Sequence, residues 1–169
     1  MPVSDLKKSV FVTVGSTSFD DLIKTVCTEE CLELLKSYGF EKIILQVGKG
    51  TFVPEEMLSF KVEWFRFKDN ILDCIKNASL VIGHAGAGTI LETLSQGKPL
   101  IVVLNEKLMD NHQREIAEKL SDEGYLKYCS CPQLLNTIKE CNAYKFKNPS
   151  FIFQDDVFME NLVHILALK

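Results

Sequence analysis

The chain has 169 residues, 46% of them hydrophobic, and a formal net charge of −4. That length suits one ordinary domain, residues 1–169, with a core large enough to need no covalent staples. The near-balanced charge disfavours a polyanion-reading face, so no nucleic-acid partner is expected, but it leaves room for a phosphate seat made of backbone amides. The clearest apolar run, 100–104, is far too short to span a bilayer, and the first residues lack the apolar core of a signal peptide. The expectation is a cytoplasmic chain. Its six cysteines then read as reduced thiols. Cys129, Cys131 and Cys141 lack the paired C-x-x-C spacing of zinc sites. Cys27 and Cys31, one helical turn apart, read as part of a helix face.

Taken in order, the β-branched run 10–14 predicts a strand. It ends in a small-residue turn, Gly15, Ser16, Thr17 and Ser18. Asp20 and Asp21 then suit the first turn of a helix, and helical pattern continues through Cys31, Leu32, Leu34 and Leu35 to Gly39. A second strand, 42–47, is closed by Gly48, Lys49 and Gly50. Residues 51–59 look irregular around Pro54. A third strand follows over 60–67, and Asp69 is placed to cap a helix ending at Asn77.

Residues 80–82 predict a fourth strand. Gly83, Gly86 and Gly88 break it into a tight turn, and a helix follows over 89–96 with Gly97 at its C-cap. The fifth strand is 100–104. Asp110 and Gln113 have capping-box spacing and open a helix to about Asp122. A sixth strand, 125–128, a helix over 132–141, a turn-like stretch 142–154 and a last helix over 157–168 complete the chain.

Strands alternating with helices predict a single doubly wound α/β domain, Rossmann-like, with a mostly parallel sheet covered on both faces. Crossovers place every strand's C-terminal end on one edge, where ligands of such sheets bind. Gly15 to Ser18, Gly48, Lys68 and Asp69, 83–89 and 105–113 all fall on that edge. A glycine turn leading into a helix N-terminus is an anion seat, because free N–H groups and the helix dipole point the same way.

The dinucleotide fingerprint is a poor fit. It needs G-x-G-x-x-G after the first strand and an acid near the end of the second. Here the first turn has only Gly15, and the rich turn follows strand four. No Gly-Lys-Ser/Thr completes a P-loop. A nucleotide-diphosphate sugar suits the remaining pattern. The N–H groups of Gly86, Ala87, Gly88 and Thr89 would bind the diphosphate, and Glu92, one turn on, could accept both ribose hydroxyls. Glu92 equally suits a solvated helix position. No D-x-D carboxylate pair stands at a strand end, so no metal is expected and amide dipoles would take its place.

The run His84-Ala85-Gly86-Ala87-Gly88-Thr89-Ile90-Leu91-Glu92, then Gly97-Lys98-Pro99, then 105–113, resembles the C-terminal domain of family 28 glycosyltransferases. Residues 11–21 narrow the likeness to the eukaryotic members that add the second GlcNAc to dolichol-diphosphate-linked GlcNAc. The resemblance implies the donor-binding half of a GT-B fold and inverting transfer from UDP-GlcNAc. It implies that the backbone of Lys68 meets uracil, that Asn111, His112 and Gln113 contact the donor sugar, and that Ser16 and Thr17 line the opposing turn beside Gly15. His84 and Ala85 enter the donor wall. His84 is also the one catalytic candidate, on a looser match. Residue by residue, simpler roles stand beside these: a first helical turn for Asn111 and His112, a cap for Gln113, Ser16 and Thr17, and a hydrogen-bonded strand end for His84.

One such domain leaves no acceptor half. The resemblance therefore implies a membrane-anchored, acceptor-binding subunit as partner, recruiting the chain to the cytosolic face of the endoplasmic reticulum membrane. The last helix, about 155–168, either docks on it or packs on its own sheet. Two other classes remain in play: a nucleotide-binding regulatory subunit without catalysis, and a dinucleotide oxidoreductase.

Overall fold

A computed structural model describes residues 7–107 and 111–143. Asp110 of the expected capping box and the expected last helix lie outside the described residues. The elements run β1 (Lys8–Thr13), α1 (Asp20–Val26), α2 (Glu29–Ser37), β2 (Phe40–Gln46), β3 (Lys61–Phe65), α3 (Leu72–Asn77), β4 (Leu80–His84), α4 (Ala87–Ser95), β5 (Leu100–Val103), α5 (Asn111–Asp122), β6 (Lys127–Cys129), a 3-10 turn (Cys131–Gln133) and α6 (Leu134–Ala143).

The six strands form one sheet in the order β3-β2-β1-β4-β5-β6, and every neighbouring pair is parallel. Parallel strands need long crossovers, which here carry the helices to both faces. Side chains therefore alternate between two cores. Val10, Val12, Ile82 and Ile101 pack with Leu22, Leu35 and Leu134 of α1, α2 and α6. Phe11, Val81 and Val102 pack with Ile75, Leu94 and Ala117 of α3, α4 and α5. Near-continuous apolar strands such as Leu100–Val103, wholly buried, are the sequence mark of a sheet covered on both sides.

Strand order reverses between β1 and β4, which pair directly, Thr13 opposite Gly83. The loops after these two strands stand at the switch in strand order, the usual ligand position in such sheets.

Several boundaries differ from the sequence expectation, those of β1, β2, β6 and α6 by one to two residues, and four others are instructive. Thr28 interrupts the first helical stretch: its side chain accepts from the Cys31 amide at 3.3 Å and starts α2 afresh. Asn70, not Asp69, serves the start of α3, its Oδ1 accepting from Leu72 N at 2.9 Å. β3 ends at Phe65, and the next residue, Arg66, donates from its side chain to the carbonyls of Gly48 and Gly50, at 3.3 and 2.8 Å. α4 opens at Ala87, two residues earlier than the apolar pattern indicates, with Gly86 as N-cap.

Candidate functional site at the β1–β4 crevice

The floor of the crevice is the start of α4. Gly86 holds an extended N-cap backbone, and no side chain caps the helix. The first intrahelical bond runs from Ile90 N to Gly86 O at 3.1 Å, which leaves the N–H groups of Ala87, Gly88 and Thr89 ahead of the ladder. The electrostatics match. α1, α2 and α3 each carry acidic residues in the first turn, while α4 carries none. A helix start with open amides and no competing carboxylate is suited to an anion. Gly88 is exposed, and a Cβ added there would meet nothing within 4 Å. Thr89 is buried, with its methyl directed at Gly83, where a Cβ would come within 3.2 Å of it.

Across the crevice stands the turn after β1. Gly15 has φ of +64°, a conformation that costs L side chains energy. Ser16 and Thr17 are exposed, and Thr17 Oγ1 donates to Val14 O at 2.9 Å. His84, the last residue of β4, fills the space between the two glycines. A Cβ on Gly15 would lie 2.9 Å from its Cε1, and one on Gly86 would lie 2.4 Å from its Nε2. Both positions therefore need glycine while the imidazole stays where it is. Burial lowers the His84 pKa, partly opposed by a hydrogen bond with the Thr13 backbone. Ala85 is buried beneath it.

Gly15, His84 and Gly86 are thus in direct contact. The remaining predicted residues share the sheet edge by topology. Glu92 is exposed on α4, one turn beyond Gly88. Lys68 is exposed after β3, its Nζ 4.3 Å from the centroid of the Phe65 ring. Asn111, His112 and Gln113 form the first turn of α5. Among the described residues, no group of three or more His, Cys, Asp or Glu could hold a metal ion. No helix among them is long and apolar enough to cross a membrane.

A separate groove of about 760 Å³ lies beside the crevice, between α1 and the ends of β5 and β6, and none of the predicted site residues lines it. The Lys107–Asp21 ion pair, at 2.9 Å, belongs to its exposed rim.

Sequence reasoning missed the groups that hold the first turn. Thr13 and Gln46 are fully buried polar residues on β1 and β2. Asp20 Oδ2 accepts from Thr51 N, Thr51 Oγ1 and Phe52 N at 3.1, 2.9 and 3.3 Å. The signal that existed was a glutamine between Leu45 and Val47 in an apolar strand, which demands buried partners.

Comparison with known proteins fits this geometry. The model of the glycosyltransferase family 28 C-terminal domain matches residues 9–150. The UDP-N-acetylglucosamine transferase subunit ALG13 of Homo sapiens is 55% identical over 126 residues, covering 73% of this chain. The chain spans only 11% of the length of that human relative and of its mouse counterpart. The Saccharomyces cerevisiae subunit of the same name is 32% identical over 86% of this chain and 93% of its own length. Among solved structures, an NMR structure of ALG13 has a TM-score of 0.67 at 30% identity, covering 86% of this chain and 93% of that one. The MurG crystal structure from Acinetobacter baumannii shares the fold, with a TM-score of 0.60 at 20% identity over 97% of this chain and 46% of its own. With most of its length matched by the family model and near-full-length relatives at this identity, the chain belongs to the glycosyltransferase family 28 C-terminal domain family.

Proposed function

We propose that this chain binds UDP-GlcNAc and is the donor-binding, catalytic part of an inverting N-acetylglucosaminyltransferase. Its acceptor is dolichyl-diphosphate-GlcNAc, presented by a membrane-anchored subunit at the cytosolic face of the endoplasmic reticulum. The observation that carries the reading is the uncapped, acid-free start of α4 facing the Gly15 turn at the strand-order switch. The human and yeast relatives are UDP-N-acetylglucosamine transferase subunits, and that likeness supplies the sugar nucleotide.

In this reading the diphosphate sits on the amides of Ala87, Gly88 and Thr89, and Glu92 holds the ribose. Lys68 meets the base, and Asn111, His112 and Gln113 meet the sugar. The acceptor hydroxyl attacks the anomeric carbon and forms the new glycosidic bond. The bond from that carbon to the β-phosphate oxygen breaks, and UDP leaves with the electron pair. The hydroxyl proton passes to a base that must lie within hydrogen-bond reach. Burial holds the His84 pKa below its ordinary value, and its ring lies against Gly15 and Gly86; this reading gives it a place in the donor wall and leaves the base unassigned. The contribution of α4 is electrostatic: fixed amide dipoles stabilise the charge growing on the diphosphate without reorganising.

The test is transfer from radiolabelled UDP-GlcNAc to dolichyl-diphosphate-GlcNAc in membranes carrying the acceptor-binding subunit. Wild type should give the two-GlcNAc lipid. Glu92→Ala should raise the donor KM roughly 10- to 100-fold, the cost of a charge-assisted hydrogen bond. Its urea midpoint should stay put, because Glu92 is exposed. UDP binding without transfer under any partner would instead indicate a regulatory subunit. Absence of both would end the reading.

A further inference from the structure

The backbone of Gly15 is held on both sides by buried side chains from two different strands. Its N–H donates to Thr13 Oγ1 at 3.0 Å. The Thr13 hydroxyl donates to Gln46 Oε1 at 3.0 Å. The Gln46 amide Nε2 donates back to Gly15 O at 3.3 Å. These three bonds close a ring with one consistent direction. Only this orientation of the carboxamide works, since the Gly15 carbonyl must face a donor. Thr13 is 0% exposed and Gln46 1% exposed, and the two stand opposite each other in the β1–β2 register. Neither reaches the crevice. Burying an amide and a hydroxyl here is tolerable because every group in the ring is satisfied.

We infer that Gln46 and Thr13 are positioning residues: their ring sets how closely the Gly15 turn approaches His84 and the start of α4, and thereby the width of the donor crevice. Gly15 lies so near the imidazole that a Cβ added to it would come within 2.9 Å of Cε1. The same turn is held from its far side, where Lys49 N donates to Thr17 O at 3.0 Å, so losing the ring frees the turn only at Gly15. The functional half of the inference rests on the donor reading above. The geometrical half does not.

The test uses the full chain as Gln46→Met and Thr13→Val, which keep volume but lose the ring, and Thr13→Ser, which keeps the hydroxyl. The double variant Thr13→Val/Gln46→Met completes a cycle. In the transfer assay the first two should each raise the donor KM roughly tenfold with acceptor KM unmoved. The double should be no worse than either alone, because one ring is lost once, and Thr13→Ser should restore wild-type values. By NMR, Gly15 amide exchange should quicken and the His84 ring resonances should shift in both ring-breaking variants and return in Thr13→Ser. Unmoved Gly15 exchange and His84 resonances would overturn the inference, as would an additive double variant. Should Gln46→Met fail to fold, Thr13→Val against Thr13→Ser decides the matter alone. If wild type handles no UDP-GlcNAc, the donor reading falls, and the NMR comparison still judges the ring.

Discussion

Gly86 and Gly88 stand two residues apart in the same turn, yet they answer different questions. A side chain on Gly86 would strike His84, so any loss there mixes steric damage with loss of ligand. Gly88 opens onto free space, and alanine is the better helix former by about 0.5–1 kcal/mol in a helix interior, less at the first turn. Gly88→Ala should therefore leave the urea midpoint level or slightly raised while the donor KM climbs roughly tenfold, as a methyl group intrudes on the diphosphate seat. A stable variant with unchanged KM would remove the diphosphate from this turn. His84 gives a second handle at the same scale. Burial holds its pKa below the ordinary 6.5, with the Thr13 backbone opposing in part. The unfolded chain thus binds the proton more readily than the folded one. Stability is full above pH 6.5 and declines as pH falls through the lowered folded value. Denaturation midpoints between pH 7.5 and 5 should show this slope, and the His84 ring should titrate in NMR below 6.5. A ring titrating above that would mean the imidazole is not enclosed.

Among the elements, the loop after β2 is held by Arg66 at Gly48 and Gly50 and by the Asp20 carboxylate at Thr51 and Phe52. Burial pushes Asp20 upward, but hydrogen bonds from Thr51 and Phe52, aided by Lys24, outweigh it and hold the carboxyl below its ordinary 3.8. Stability from this contact is present above that value and disappears as pH drops through the lowered one. Asp20→Asn should therefore cost stability at pH 7 and converge on wild type towards pH 2, measured by urea unfolding across that range. A difference independent of pH would mean the contact is steric. The strands, the glycine turn and α4 were legible in sequence because each rests on local chemistry: β-branched runs, glycines at the breaks, a 3.6-residue period. The split between α1 and α2 was not legible, since Thr28 lies inside one continuous apolar pattern. Asn70 displaced Asp69 by one residue, a choice that depends on where α3 meets the sheet. Gln46 was passed over for a different reason. Its partner, Gly15, lies 31 residues away, and no local rule joins them. The glycine turn and the helix start proposed as the seat follow from local backbone chemistry, whereas the supports beneath them were hidden because they act across strands.

For the molecule as a whole, the sheet brings every loop of the proposed site to one edge, but the crevice they form is one wall. The described chain brings the start of α4 and the Gly15 turn to this edge, and the proposed function sets a second subunit over it. Dipolar stabilisation of a leaving diphosphate is strongest where water is excluded. An open wall should bind the nucleotide weakly and transfer nothing. Docking of the acceptor-binding subunit over this edge would exclude water and complete the site, so partner and donor should each strengthen the other's binding by the same factor. The expected result is at least fivefold tighter UDP binding when membranes carrying the partner are added, with equal tightening of partner binding by UDP, both read by titration. The Gly88→Ala variant should bind UDP roughly tenfold more weakly and, without UDP, still bind the partner as the unliganded wild type does. Full transfer by the isolated chain, or UDP affinity indifferent to the partner, would show that this edge is complete without a second subunit.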